Sequence, residues 1–184
     1  PRLDEELVRA IRSAVGSEVD VMIDGGHAWD LKGALQMAEV CAKYGVLWLE
    51  EPLHPDDWRG YRELVSHSPI AIAAGEQESG RRAFERLLDE TGLDILQPDL
   101  ARCGGITEGK KIAYLAHDRC RKIVPHAFKT GILLAASAHF AAAIPNGFMI
   151  EYSASTSPLT RDLVRDPVEF KDGYVRVLER YRVA

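Results

Sequence analysis

Six ionisable residues stand along this chain at nearly equal steps: Asp24, Glu50, Glu76, Asp99, His126 and Glu151. The intervals are 26, 26, 23, 27 and 25 residues. Asp24, Glu50 and Glu76 form an oxygen-only set. Carboxylates brought together repel one another unless a cation neutralises them, and hard oxygen donors suit Mg2+, which keeps positions open for water or substrate oxygens. Asp99 and His126 form a second set. A carboxylate beside a histidine fixes the ring tautomer and keeps the imidazole useful for proton transfer near neutral pH. Glu151 ends the series, and a carboxylic acid there could donate a hydrogen bond to negative charge developing on a substrate.

These residues need elements to position them. Each follows a short apolar run, which predicts strands at Val19–Ile23, Val46–Leu49, Ile70–Ala74, Leu93–Leu96, Lys122–Val124 and Phe148–Ile150. Helical periodicity fills the gaps. Leu3–Val15 would turn Leu3, Leu7, Ala10, Ile11 and Ala14 inward, and Asp30 would cap Leu31–Tyr44, whose inner face is Leu31, Leu35, Ala38 and Ala42. Further helices are expected near Asp57–Ser66, over Gly80–Glu90, from Gly104-Gly105 to about Arg119, and over Gly131–Ala143. Strands alternating with helices of this length predict βαβ units with right-handed connections and a parallel sheet buried on both faces. A closed barrel brings its C-terminal strand ends to one mouth, where such enzymes keep their sites. The expected fold is therefore α/β, a TIM-type (β/α) barrel, incomplete, with about six βα units over residues 1–152. Residues 153–184 read as a C-terminal extension packing back on it, with a hairpin around Lys171-Asp172-Gly173.

Composition narrows the function classes. The 184 residues are 46% hydrophobic and 28% charged, which fits a globular protein with a sizeable core. A net charge of −5 offers no electrostatic case for nucleic acid or an anionic membrane, and no apolar run is long enough to span a bilayer. Cys41, Cys103 and Cys120 lack metal-site spacing and cannot all pair, so they read as small packed thiols in a cytoplasmic protein. His27, His54, His67, His117 and His139 read as solvated or packed.

In order and spacing, VMIDGG, WLEEP, AAGE, LQPDLARCGGIT, IVPHAF and MIEYS resemble the metal-binding and catalytic strands of the enolase superfamily, in its mandelate racemase-like branch with the acid-sugar dehydratases. The resemblance runs from about Val19 to Tyr152. It implies that the chain holds strands 3–8 of the family barrel, with Asp24, Glu50 and Glu76 binding Mg2+. It also implies Asp99 and His126 as an acid/base dyad, Glu151 as a hydrogen-bond partner of the substrate carboxylate, Glu51 as support for the ligand beside it, and Lys129 as a substrate contact. The implied chemistry is removal of the proton α to a carboxylate through a stabilised enediolate, with dehydration of a sugar acid as the lead outcome. Racemisation or epimerisation of a hydroxy acid is the alternative, as is cycloisomerisation, although that would be expected to use lysines and no lysine stands at the Asp99 or His126 position.

Two departures qualify the match. The strand bearing the family's lysine base pair and the N-terminal α+β capping domain are not in this sequence, so the chain reads as a fragment lacking one acid/base arm. An open barrel edge would favour a homo-oligomer. Gly26 also stands where many relatives carry a small polar residue, two positions after the first ligand. A non-catalytic barrel fragment is therefore a rival reading. A Schiff-base aldolase is a weaker one, because no strand end carries a lysine.

Overall fold

The computed structural model describes residues 2–177. In chain order the elements are α1 (Arg2–Val15), β1 (Val21–Asp24), α2 (Leu31–Lys43), β2 (Val46–Glu50), α3 (Trp58–His67), β3 (Ala71–Ala74), α4 (Gly80–Thr91), β4 (Ile95–Leu96), α5 (Gly105–His117), β5 (Lys122–Ile123), α6 (Gly131–Ala142), α7 (Pro158–Arg161), β6 (Phe170–Lys171) and β7 (Tyr174–Val175). They form two compact units, one of Pro1–Gly75 with Arg86–Ile95 and one of Glu76–Glu85 with Leu96–Ala184. No helix among the described residues is long and apolar enough to cross a membrane.

In the first unit the strand order is β1-β2-β3, and both pairings are parallel. Val46, Trp48 and Leu49 of β2 are buried, which needs apolar side chains on both faces of a strand flanked on both edges. β1 departs from that expectation. Its residues alternate between half-buried and exposed, because β2 is its one strand partner among the described residues. Asp30 accepts from Gly33 N at 2.8 Å and Asp57 from Gly60 N at 2.9 Å, so each carboxylate satisfies an amide that the first helical turn leaves unpaired.

Two helix faces differ from the sequence expectation. The buried stripe of α2 is Ala34, Met37, Ala38 and Cys41, one step round from the expected face. Leu31, Leu35 and Ala42 are half-buried. Small side chains in the stripe let the helix lie close to β2. In α1 the inversion is larger: Leu3, Leu7 and Ile11 are 67%, 54% and 45% exposed, while Val8 is buried at 4%. Ala10 and Ala14 are exposed too. Polar anchors decide this face. Arg12 donates to the carbonyls of Tyr44 at 2.8 Å, Gly45 at 2.9 Å, Gly16 at 2.8 Å and Val19 at 2.7 Å, and Lys43 donates to Glu5 at 2.7 Å.

In the second unit Val124 N donates to Leu96 O at 3.0 Å, in the β4 and β5 region. The strand expected at Phe148–Ile150 does not form as a strand. It is reduced to a single parallel bridge between Ile123 and Gly147, supported by Phe148 N donating to Ile123 O at 3.0 Å. α6 is apolar round most of its surface, with Leu133, Leu134, Ala138 and Phe140 buried, as a helix covered on several sides must be. α7 packs on α6, and Thr160 Oγ1 donates to Lys129 O at 3.4 Å. β6 and β7 pair antiparallel across Asp172 (φ 52°) and Gly173 (φ 81°), a two-residue turn at the expected hairpin. Residues 178–184 of the expected extension lie outside the described residues.

Candidate active site

The candidate residues fall in two groups, one in each unit. In the first, the parallel register places Asp24 at the end of β1 directly beside Glu50 at the end of β2. Asp24 Oδ1 accepts from Gly26 N at 2.8 Å, which ties the carboxylate to its own turn. Glu50 is half-buried, and Trp48 Nε1 donates to its Oε2 at 3.4 Å.

Glu51 turns away from its neighbour. Its backbone lies in the left-handed region at φ 35°, and its carboxylate is buried, 4% exposed, where Gly75 N donates to Oε1 at 3.4 Å. Across the turn His27 also has a left-handed backbone, φ 62°, and its Nε2 donates to Glu51 Oε2. A carboxylate only accepts, so the ring proton sits on Nε2. Left-handed backbone at a residue other than glycine costs about 1–3 kcal/mol and persists where surrounding contacts enforce it. Nearby, Tyr61 donates to Leu53 O at 3.1 Å. Burial, with the Glu51 charge adding to it, raises the Tyr61 hydroxyl well above the usual tyrosine range, so it stays a neutral donor.

The second group centres on His126, which is 7% exposed. Its Nδ1 donates to Asp99 Oδ2 at 2.9 Å. Asp99 is fully buried and anchored from the backbone, its Oδ1 accepting from Ala101 N at 2.7 Å. With Nδ1 committed, Nε2 is the nitrogen that faces partners: Glu76 Oε2 at 3.2 Å and Glu151 Oε2 at 3.7 Å. Glu151 Oε2 also accepts from Ala127 N at 2.8 Å. Arg102 approaches Glu76 Oε1 at 3.5 Å and Asp99 Oδ2 at 3.9 Å, and it donates to the Glu76 carbonyl at 3.2 Å. Its positive charge offsets two of the acids around the imidazole.

Cys103 lies buried near Asp99. Burial first, and the Asp99 charge second, push its thiol up to about 11, which makes it a packed thiol rather than a nucleophile. Lys129 is exposed.

Four of the six expected residues thus meet around one imidazole, and the other two are register partners on β1 and β2. His27 and Arg102 are the residues the strand-end pattern passes over. His27 follows Asp24 by three positions and Arg102 follows Asp99 by three, so closeness to a strand-end acid was the available signal. Among the described residues no three His, Cys, Asp or Glu side chains stand together in a group ready to hold a metal ion. What suits a hard divalent cation is the donor chemistry of Asp24, Glu50 and Glu76, with the first two at one level of the sheet.

Comparison with known proteins puts this arrangement in a family. Residues 1–181 match the family described as enolase C-terminal domain-like. D-galactarolactone cycloisomerase of Agrobacterium fabrum is 34% identical over 182 residues, which are 95% of this chain and 48% of that protein. The crystal structure of 3,6-anhydro-D-galactonate cycloisomerase from Zobellia galactanivorans superposes with a TM-score of 0.91 at 34% identity, covering 96% of this chain and 50% of that one. A mandelate racemase/muconate lactonizing enzyme from Jannaschia sp. CCS1 gives a TM-score of 0.88 at 34% identity, over 99% of this chain and 46% of that one. The chain spans about half the length of these relatives. The α/β fold of TIM-barrel type expected from the strand and helix pattern is the fold of this superfamily. The chain therefore belongs to the enolase C-terminal domain-like family, on its mandelate racemase and muconate lactonizing side, and carries the C-terminal barrel portion.

Proposed function

We propose that this chain supplies the proton-transfer histidine and the metal carboxylates of an enzyme acting on a sugar acid. The reaction removes the proton α to the carboxylate and expels the oxygen on the neighbouring carbon. One observation carries this reading: His126 Nδ1 is held by a buried Asp99 at 2.9 Å, which leaves Nε2 as the nitrogen that exchanges protons. Asp99 fixes the ring's tautomer and orientation and stabilises its positive charge once it has accepted a proton. The same protonated ring then donates to the departing oxygen. Glu151, steadied by Ala127 N–H and 3.7 Å from His126 Nε2, would meet the substrate carboxylate, and Lys129, exposed and three residues after His126 in the chain, would contact the substrate. Asp24, Glu50 and Glu76 would hold Mg2+, which when bound draws charge from the substrate carboxylate and so acidifies the α proton.

Dehydration follows when the expelled oxygen is a hydroxyl. A second reading, cycloisomerisation, follows when that oxygen belongs to a ring. It is favoured by two relatives at 34% identity whose names state that activity, despite the absence of lysine at the Asp99 and His126 positions. The test is α-proton exchange in deuterated water by the whole protein with Mg2+. The panel contains sugar acids and lactones, D-galactarolactone and 3,6-anhydro-D-galactonate among them. His126→Asn is expected to abolish exchange while leaving Mg2+ affinity nearly intact, and Glu76→Gln to weaken Mg2+ binding measured by calorimetry. Unchanged exchange in the His126 variant would remove the histidine from the reaction, and equal Mg2+ binding by the Glu76 variant would remove that ligand.

A further inference from the structure

We propose that His27 is a positioning residue for the carboxylates at the ends of β1 and β2, and that it acts through Glu51. The inference rests on the reading of Asp24 and Glu50 as metal ligands.

Beyond the last paired residues of β1 and β2 the segments that follow them stay joined. Gly25 N donates to Glu50 O at 2.7 Å, His27 N to Glu51 O at 2.7 Å and Trp29 N to Pro52 O at 3.1 Å. Glu51 N in turn donates to Ala73 O at 2.9 Å, and Gly75 N to Glu51 Oε1 at 3.4 Å. Glu51 therefore touches the ends of all three strands of the first unit, and the His27 imidazole holds its other carboxylate oxygen.

The backbone supplies an independent indication. His27 and Glu51 both lie in the left-handed region, at φ 62° and 35°, and they are bonded to each other through backbone and side chain. Two non-glycine residues in a sparsely populated conformation, facing each other at paired strand ends, mark a geometry imposed by their contacts. The left-handed step at Glu51 lets adjacent glutamates serve different places: Glu51 is buried, and Glu50 stays half-buried beside Asp24. Without the imidazole, the Glu51 carboxylate loses its ring donor inside the protein and swings toward water. The Glu50–Glu51 peptide then relaxes out of its strained conformation. Glu50 moves with that peptide, and Asp24 moves through the Gly25 hydrogen bond to Glu50 O.

The experiment is calorimetric titration of Mg2+ alone into the full chain, for the unaltered protein and for His27→Ala, His27→Gly and His27→Gln, with thermal melting of each. Loss of an outer hydrogen bond to a metal site typically weakens metal affinity about 10–100-fold, and that loss is expected for His27→Ala. His27→Gln restores an N–H donor of similar reach and is expected to recover most of the affinity. His27→Gly relieves the backbone and melts no lower than His27→Ala, yet binds Mg2+ as weakly. That separation of affinity from stability is what a purely structural histidine would not produce. Should His27→Ala not fold, His27→Asn takes its place, since asparagine accepts left-handed backbone but is too short to hold Glu51 in the same way. Mg2+ binding equal to the unaltered protein in all variants overturns the positioning role alone. Absence of Mg2+ binding by the unaltered protein overturns the metal reading, and this role with it.

Discussion

A β-carbon on Gly25 would stand 2.6 Å from Cζ3 of Trp29 and 2.8 Å from Cα of Pro52. The residue between Asp24 and the His27 turn must therefore be glycine, because the backbone of β1's end lies against that of β2's end. Gly25→Ala is expected to cost about 2 kcal/mol through overpacking, or about 4–8 °C in Tm. It should also loosen the Gly25 N–H to Glu50 O bond and weaken Mg2+ binding. Thermal melting and calorimetry on one sample check both effects, and a Tm within a degree of the unaltered protein would show that the turn has room to shift. At this scale much of the chemistry was legible. Asp99 and His126 form a close pair because both sit just past strand ends one βα unit apart. The His27–Glu51 pair was not legible, since left-handed backbone at a histidine and a glutamate follows from contacts across two strands and not from local preference.

At the scale of elements, α1 shows how polar contacts override an apolar stripe. Periodicity correctly predicts the helix, because it needs only local spacing. Which face turns inward depends on what the neighbouring element offers. The turn that follows α2 offers the carbonyls of Tyr44 and Gly45, and Arg12 supplies a fork of donors that meets them. Arg12→Ala is expected to destabilise the first unit by about 2 kcal/mol, the range for hydrogen bonds to a charged group. Arg12→Lys should recover only part, since a single ammonium cannot span all four carbonyls. Urea denaturation of the three proteins measures this, and an Arg12→Ala midpoint equal to the unaltered one would mean that water replaces the guanidinium without loss. α2 shifts by one step for a different reason: its apolar residues cover a broad arc, with Leu31, Leu35 and Ala42 on one side and Met37 and Cys41 on the other, so periodicity alone permits either face. The segment Phe148–Ile150 has strand-like residues, yet among the described residues it forms no ladder, because strand formation needs a partner ladder as well as propensity; the one bridge beside it joins Ile123 to Gly147.

At the scale of the whole molecule, burial sets the behaviour of the thiols. Cys41 and Cys103 are each pushed up to about 11 by burial, from an ordinary value of 9.0, while Cys120 is exposed. In the native state the two buried thiols keep their protons at a pH where unfolded thiols lose them. The unfolded state then binds fewer protons, so stability present below pH 9 falls as pH rises from about 9 to about 11. Urea denaturation across that interval should show the decline, and Cys41→Ala with Cys103→Ala should flatten it. A thiol reagent at pH 8 should modify Cys120 quickly and the other two only on unfolding; rapid reaction of all three would contradict the burial.

The sequence by itself determined the alternation of strands and helices, the spacing of six ionisable groups and the family to which that spacing belongs. Each depends on composition and separation along the chain, which the order of residues fully specifies. The tertiary structure decided that His126 presents Nε2, because only the placement of Asp99 beside Nδ1 selects the tautomer. It also decided that Glu51 turns inward to His27 while its neighbour Glu50 stays beside Asp24. In each case the deciding partner lies 24–27 residues away in the chain, and folding alone sets its distance and direction.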